Sequence, residues 1–275
     1  ASKNTEEIVN RITSLGGKDQ DDLRQQGIDL LQKRIEVEVE NIRSDASRAV
    51  QRKDFSEGKQ EALEALNALR QTIHPLNAAP LLTLINEQEK TLMKDLEKKH
   101  LADCREDFMR RRNTRDSAEC RKRLDAFLEL WPDSAERETV AKVRDFLNVI
   151  QGGVKGKLSV VKGKINKETT YDKPDVFVTV SQGNKELLHT KMIKDNWYPE
   201  FNEGVDITWT VDMPPLTFKA IDVDPVMDDE LFTHHEESLG FDGYKGLSKT
   251  ITDTGCELFI EFKPNTPIPD CPWLK

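Results

Sequence analysis

The sequence lacks the features that mark a membrane-spanning or disulfide-framed chain. No stretch approaches the roughly 18 uncharged apolar residues that a membrane span needs, and the N-terminus has no signal-peptide core. The four cysteines show no CxxC spacing, so no zinc or redox motif is indicated. Cys256 and Cys271 are placed to bridge the last strand to the tail, although buried free thiols are the favoured interpretation. We expect a soluble or peripheral membrane chain, with the compartment, and any anchor, leader or enzymatic domain upstream of Ala1, left open.

Catalytic motifs are also missing. The sequence contains no GxSxG, P-loop, GxGxxG or HExxH pattern and no defensible Ser-His-Asp or Cys-His set. Its carboxylates are plentiful, but nothing pairs them in an apolar cleft as acid–base catalysis requires. We therefore predict that this chain is not an enzyme.

Excess positive charge is absent, and the negative charge is uneven. Residues 1–150 carry a net −2 and residues 151–275 a net −7, which together make the chain's −9. Nucleic-acid affinity comes largely from neutralising phosphates, so an acidic domain argues against a nucleic-acid partner. To approach an anionic membrane, the C-terminal part needs a local basic face or a bound cation.

The first 150 residues read as helical hairpins. Apolar residues recur at helical spacing from Ile28 to Val50, and Asp54 with Glu57 resembles a capping box that starts a second helix. His74-Pro75 ends that helix, and a long helix follows from about Pro80 to Arg112. An offset of 62 superimposes these two helices on the next pair, which favours stacked repeats as one possibility. The segment 127–134 bears a weak likeness to a tetratricopeptide-type hairpin.

The helical pattern ends at Gln151-Gly152-Gly153, and short segments in which apolar and polar residues alternate follow it. Strands of this kind without helices predict a β-sandwich over about 154–263, and a Pro-rich C-terminal strap over 264–275 with Trp273 packed on another surface. The fold class is thus α+β in two segregated domains, a helical one over about 1–150 and an all-β one. The candidate strands are Lys157–Lys164, Asp175–Ser181, Leu187–Ile193, Gly204–Val211, Leu216–Val223, Tyr244–Ile251 and Cys256–Phe262.

Three segments of the all-β part resemble the C2 domain family. Residues 190–203 (TKMIKDNWYPEFNE) resemble the family's "TKxxK…xPxWNE" run, with Phe201 where Trp is usual. Residues 173–180 resemble its "DPYVxV" strand, and residues 216–224 its "LxxxVxDxD" strand. The order and spacing agree over about 110 residues. The resemblance implies a C2-like sandwich that docks on phospholipid or protein.

The acids in these segments indicate a Ca²⁺ site. Asp222 and Asp224 are two apart at a strand end, so both carboxylates project from one face, and hard oxygen ligands suit Ca²⁺. The C2 resemblance places a second loop beside them, and the predicted ligands are Asp172, Asp175, Asp222, Asp224, Asp229 and Glu230, with Asp228 nearby. Two positions depart from the family. Its first-loop aspartate falls on Thr169, so that Asp172 or Glu168 must substitute, and its later third-loop acid falls on Glu230 in a loop predicted to reach Gly240. An acidic loop without an ion is the alternative.

Further residues are candidates for lipid contact. Met227 and Phe232 are predicted to insert into the headgroup region or to pack on their own loop. Lys185, Lys191 and Lys194 form either a basic groove or a solvated strand edge. His234-His235-Glu236-Glu237 could hold a transition metal, but adjacent histidines on a loop rarely both reach one ion. Arg110-Arg111-Arg112 with Arg115 could form an anion-binding patch, but cations at a helix C-terminus are accounted for by the helix dipole.

These observations predict a non-enzymatic adaptor. Its C2-like domain docks to membrane phospholipid, with or without Ca²⁺, and its helical domain binds a protein partner. The alternative is an interaction module whose sandwich binds neither Ca²⁺ nor lipid. The lipid, the protein partner and the oligomeric state are open.

Overall fold

A computed structural model of the chain describes residues 2–15, 20–111, 117–166, 172–210, 213–224, 228–236 and 246–274. It forms two compact units, Ala1–Asp103 and Cys104–Lys275. The change from helix to strand occurs at Gly153, as predicted, while the units divide within a helix. The predicted domain bounds and the 62-residue repeat stay predictions.

The first unit is helical. It contains α1 (Lys3–Ser14), α2 (Asp21–Gln51), α3 (Phe55–Ile73) and the first part of α4 (Ala79–Arg111). The Asp54 side chain accepts a hydrogen bond from the Glu57 N–H at 2.9 Å, which caps α3. A short 3₁₀ turn at His74–Leu76 ends α3 where the His-Pro pair predicts it. Helix α1 has no counterpart among the predicted elements.

The helices of the second unit are the end of α4, α5 (Ser117–Leu130) and α6 (Arg137–Gly152). Phe108, Phe127 and Phe146 are buried among them. Pro132, Asp133 and Ser134 lie in a turn before α6, in which Ser134 Oγ accepts the Glu136 N–H at 3.0 Å. Asp116, which the offset of 62 aligns with the capping residue Asp54, lies outside the described residues.

The rest of the second unit is a β-sandwich of two four-stranded antiparallel sheets, with strand orders β4-β1-β8-β7 and β3-β2-β5-β6. Core residues alternate with outward ones, as in β5, where Leu216, Phe218 and Ala220 are buried and Lys219 points outward. The predicted fold class, helical hairpins followed by a C2-like sandwich, is confirmed. The strands are β1 (Val154–Lys164), β2 (Val176–Gln182), β3 (Lys185–His189), β4 (Glu200–Trp209), β5 (Leu216–Asp222), β6 (Asp229–Glu236), β7 (Leu247–Asp253) and β8 (Cys256–Pro264).

Strand β6 corrects the predicted long loop. The segment from Asp229 to Glu236 pairs along β5 instead of forming a loop to Gly240. A register shift between Ala220 and Ile221 leaves Leu231 and Phe232 both buried, which breaks the alternation that would identify a strand. The connection between β5 and β6 is therefore only residues 223–228.

The C-terminal strap ends in a 3₁₀ turn at Pro272–Leu274. The Trp273 ring meets Phe108 edge-on at 5.5 Å between centroids, which identifies the surface that the strap covers within the second unit. All four cysteines are buried free thiols. Among the described residues, no helix combines the length and apolar character that a membrane span requires.

Candidate docking end of the sandwich

Four connections meet at one end of the sandwich, because successive antiparallel strands alternate in direction. They are residues 165–175, 190–199, 223–228 and 254–255. Backbone hydrogen bonds join the first three: the Val223 N–H donates to the Asp175 carbonyl at 3.0 Å, and the Asn196 N–H to the Pro174 carbonyl at 3.1 Å. We call this the acidic end, after Asp172, Asp175, Asp222 and Asp224.

Asp222 is the most enclosed of these acids. It closes β5, is 3% exposed, and accepts a hydrogen bond from the Asp175 backbone N–H at 2.8 Å. Burial raises the pKa of Asp222, and the neighbouring carboxylates of Asp224, Asp172 and Asp175 raise it further, against the opposing effect of that hydrogen bond. The structure thus places these four predicted ligands within electrostatic reach of one another.

A third connection contributes Asp195, which is not among the ligands predicted from the sequence. Its backbone N–H donates to Asp175 Oδ1 at 2.9 Å. Its φ of 52° is left-handed, a conformation that Asp and Asn tolerate better than most residues, so the Asp195-Asn196 pair was an available turn signal. The contribution is a backbone donor that orients Asp175, while the Asp195 side chain is exposed.

Asp229 and Glu230 begin β6. Asp229 is exposed and pairs with Asp222 across the strands, whereas Glu230 pairs with Ile221, one position earlier. Side chains alternate along a strand, so Glu230 projects from the face opposite to Asp222. There it meets Lys219 Nζ at 2.7 Å and the Thr233 hydroxyl at 2.5 Å, and these two hydrogen bonds lower the pKa of Glu230. The structure does not bring Glu230 to the acidic end.

The acidic end has the kind of ligand atoms that Ca²⁺ binds, but these atoms are not arranged as a preformed site. Carboxylate oxygens are the ligands that Ca²⁺ prefers. Among the described residues, however, no three His, Cys, Asp or Glu side chains are grouped so as to hold a metal ion. Thr169 and Glu168, the first-loop positions in question, lie outside the described residues. An ion would therefore have to draw the side chains together.

The predicted lipid contacts are dispersed. Lys185 starts β3, while Lys191 and Lys194 follow its other end, so about 20 Å of extended chain separates Lys185 from Lys191. All three lysines are exposed, which fits a solvated edge as well as a ligand groove. Phe232 is 1% exposed, because it lies opposite Ala220 in the core. It is therefore not available for membrane insertion, and Met227 lies outside the described residues.

The two remaining clusters have structural partners. His235 Nδ1 lies 2.9 Å from the Thr217 hydroxyl, whereas Glu236 accepts from Lys249 Nζ at 2.5 Å, and Glu237 lies outside the described residues. Arg110 and Arg111 donate to the buried Asp107 at 2.6 and 2.9 Å. Burial alone would raise the pKa of Asp107, but these hydrogen bonds lower it. Arg112 and Arg115 fall outside the described residues.

Comparisons with known proteins add structural similarities only. No protein-family model matches the chain, and no curated protein matches it. Solved structures that contain C2 domains are similar to part of it. A structure of two C2 domains of Extended-Synaptotagmin 2 is 18% identical with a TM-score of 0.36, covering 42% of this chain and 42% of that one. Human GIVD cytosolic phospholipase A2 is 19% identical with a TM-score of 0.33, covering 40% of this chain and 16% of that one.

A third structure, of CC2D1B, is 14% identical with a TM-score of 0.37, covering 64% of this chain and 90% of that one. This chain therefore spans less than half of the Extended-Synaptotagmin 2 structure and about a sixth of the phospholipase. TM-scores of this size carry no functional argument. The strand order and the converging connections described above identify the C-terminal part as a C2-like β-sandwich.

Proposed function

We propose that the chain is a non-enzymatic adaptor whose sandwich docks through its acidic end on anionic phospholipid in response to Ca²⁺. The observation that carries this proposal is the crowding around Asp222, a buried carboxylate whose pKa is raised by burial and three neighbouring acids. In the described part of the chain, no ion pair compensates Asp175, Asp222 or Asp224. Uncompensated acids at such close range favour the uptake of a cation.

Charge accounts for the response. Asp172, Asp175, Asp222 and Asp224 present negative charge, so the acidic end is repelled by the negative surface of an anionic leaflet. Bound Ca²⁺ would supply positive charge and coordination positions for lipid phosphate oxygens. The backbone of Asp175 and that of Asp195 hold the carboxylates of Asp222 and Asp175 at the edge of the sandwich, so little rearrangement of the main chain is required.

Thermal melting in Ca²⁺ and in EDTA tests ion binding. We expect about 1 mM Ca²⁺ to raise the melting temperature of the wild type, since a ligand that binds only the folded state stabilises it. The double variant Asp222→Asn with Asp224→Asn should lose the rise, because Asn keeps the acceptor for the Asp175 N–H but removes the charge. Asp206→Asn, an exposed acid on β4, is the matched control and should keep it. A rise that persists in the double variant would place the ion elsewhere.

A second candidate is an interaction module that docks on protein without Ca²⁺. Two observations favour it: the described residues contain no ready metal group, and Glu230 is paired with Lys219 away from the acidic end. This candidate predicts the same melting temperature in Ca²⁺ and EDTA and no sedimentation with vesicles of any composition.

The helical part is proposed to bind an amphipathic helix of another protein. Leu23, Leu30 and Val37 on α2 are 54%, 62% and 49% exposed, and they lie seven residues apart on one side of the helix. A seven-residue repeat is the spacing of one of the two core positions in coiled-coil packing. Selection of displayed helical peptides should enrich apolar residues at the same spacing, and Leu30→Glu should abolish their binding while Arg24→Glu does not. Self-association of the chain through this row would contradict the proposal.

A further inference from the structure

A groove of about 340 Å³ lies on the outer face of the β4-β1-β8-β7 sheet. One row of cross-strand neighbours forms its floor: Glu200 on β4, Lys162 on β1, Phe259 on β8 and Thr250 on β7. Tyr198 forms the rim, with its side chain among the most exposed of the large apolar residues at 59%. The groove therefore combines two aromatic rings with charges of both signs.

The charges in the groove differ in whether they are already paired. Lys164 Nζ forms an ion pair with Glu257 at 2.9 Å, and this pair raises the pKa of Lys164. Lys162 Nζ instead lies over the Phe259 ring, 5.8 Å from its centroid. Within the described part of the chain, neither Lys162 nor its cross-strand neighbour Glu200 forms an ion pair. One cation and one anion are thus left for a ligand, in a lining whose net charge is zero.

This arrangement selects a class of ligand. A groove with no net charge has little preference for a simple anion or a simple cation. A zwitterion matches it, with an onium group between the Tyr198 ring and the Glu200 carboxylate, and an anionic group at Lys162 on the neighbouring strand. Neighbouring strands are about 4.8 Å apart, which is about the separation of the ammonium and phosphate in a phosphocholine group.

The position of the groove indicates the source of that ligand. Lys164 ends β1 and Glu200 begins β4, so the groove adjoins the acidic end, and the Gly163 N–H donates to the Pro199 carbonyl at 2.8 Å between the two. We propose that this groove binds the zwitterionic headgroup of a choline phospholipid, at a site separate from the carboxylates of the acidic end. The choice of a membrane lipid over a free headgroup rests on the proposed docking function; recognition of the headgroup does not.

Titration with soluble phosphocholine tests recognition of the headgroup. We expect the backbone amide resonances of Gly163, Lys164 and Glu200 to shift with phosphocholine and not with inorganic phosphate. Tyr198→Ala and Glu200→Gln should each weaken binding about two- to fivefold, the scale of one exposed cation–π or ionic contact. Lys155→Gln, on the same face of β1 but at its other end, is the matched control and should bind as the wild type does. Absence of shifts, or equal weakening by the control, would overturn the proposal.

Sedimentation with vesicles of pure phosphatidylcholine in EDTA tests whether the groove binds a membrane lipid. EDTA removes the Ca²⁺ that the acidic end is proposed to require, so the acidic end does not contribute. The sedimented fraction should fall in Tyr198→Ala and Glu200→Gln and not in Lys155→Gln or in Asp222→Asn with Asp224→Asn. Shifts with phosphocholine but no sedimentation would overturn the membrane source. If the groove variants sediment like the wild type here, while Ca²⁺ still drives binding to anionic vesicles, the groove proposal fails and the proposed function stands. Tyr198, Glu200 and the control position Lys155 are all exposed, so these variants are expected to fold.

Discussion

The carboxylate of Asp222 accepts a hydrogen bond from the backbone N–H of Asp175 at 2.8 Å, which fixes the end of β5 to the residue that precedes β2. One side chain thus serves two purposes: it orders two connections, and it concentrates negative charge between them. The structural purpose needs only an acceptor atom, whereas the proposed ion binding needs the charge. Replacement by Asn separates the two.

Asp222→Asn should stabilise the chain at pH 7 relative to the wild type, by up to about 1 kcal/mol. The pKa of Asp222 is raised in the folded state, so its charged form costs stability above that pKa, and the cost disappears as the pH falls through the folded pKa to the unfolded one. The difference in the free energy of unfolding between the variant and the wild type should therefore shrink on acidification from pH 7 to about pH 4. Chemical denaturation across this range measures it. A difference that grows on acidification would contradict the raised pKa.

Asp222→Ala provides the complementary result. Alanine removes the acceptor and leaves the part-buried Asp175 N–H without its partner, which costs about 1 kcal/mol, the lower end of the range for a buried donor. We expect Asp222→Ala to be less stable than Asp222→Asn in urea denaturation at pH 7. Equal stability of the two variants would show that the hydrogen bond does not order the connection.

Glu230→Gln should leave any Ca²⁺ response of the melting temperature unchanged. The sequence predicts Glu230 as a ligand, but its carboxylate is bound to Lys219 on the opposite face of the sheet from Asp222. The comparison is with Asp224→Asn, which should reduce the response. Loss of the response in Glu230→Gln would mean that β6 reorganises when the ion binds.

Trp273→Ala should release the C-terminal strap from the second unit. The ring is buried against Phe108, and loss of a buried Trp typically costs about 3–5 kcal/mol. Hydrogen exchange should increase around Phe108 and in α6, while β2 and β5 keep their protection. Pro267→Ala, an exposed position in the same strap, is the control and should change nothing. Uniform acceleration across the sandwich would show that the strap stabilises the whole unit.

Cys120 should resist alkylation in the folded chain at pH 8. Burial, reinforced by the charge of Asp107, raises the pKa of its thiol to about 12, and only the thiolate reacts. Iodoacetamide labelling followed by peptide mass analysis measures this, with the denatured chain as the reference. Labelling of Cys120 at the denatured rate would indicate that α5 opens readily.

Local signals predict most of the helices and most of the strands, because caps and periodic burial are properties of neighbouring residues. Asp54 and Glu57 identify the start of α3, and the alternation in β5 identifies its buried face. The sequence pattern does not predict strand β6, because its two core residues, Leu231 and Phe232, are adjacent and not alternate in a run that is otherwise polar. The side of the sheet from which Glu230 projects is not predicted either. It depends on the register between β6 and β5, which is set only when the sheet forms.

Sedimentation with phosphatidylserine vesicles tests the central claim most directly. We predict that the wild type sediments in about 1 mM Ca²⁺ and not in EDTA, since the acidic end requires a cation to meet an anionic surface. Asp222→Asn with Asp224→Asn should stay in the supernatant in both conditions, and Asp206→Asn should behave as the wild type. Equal sedimentation of the wild type in Ca²⁺ and EDTA, or Ca²⁺-dependent sedimentation of the double variant, would contradict the account.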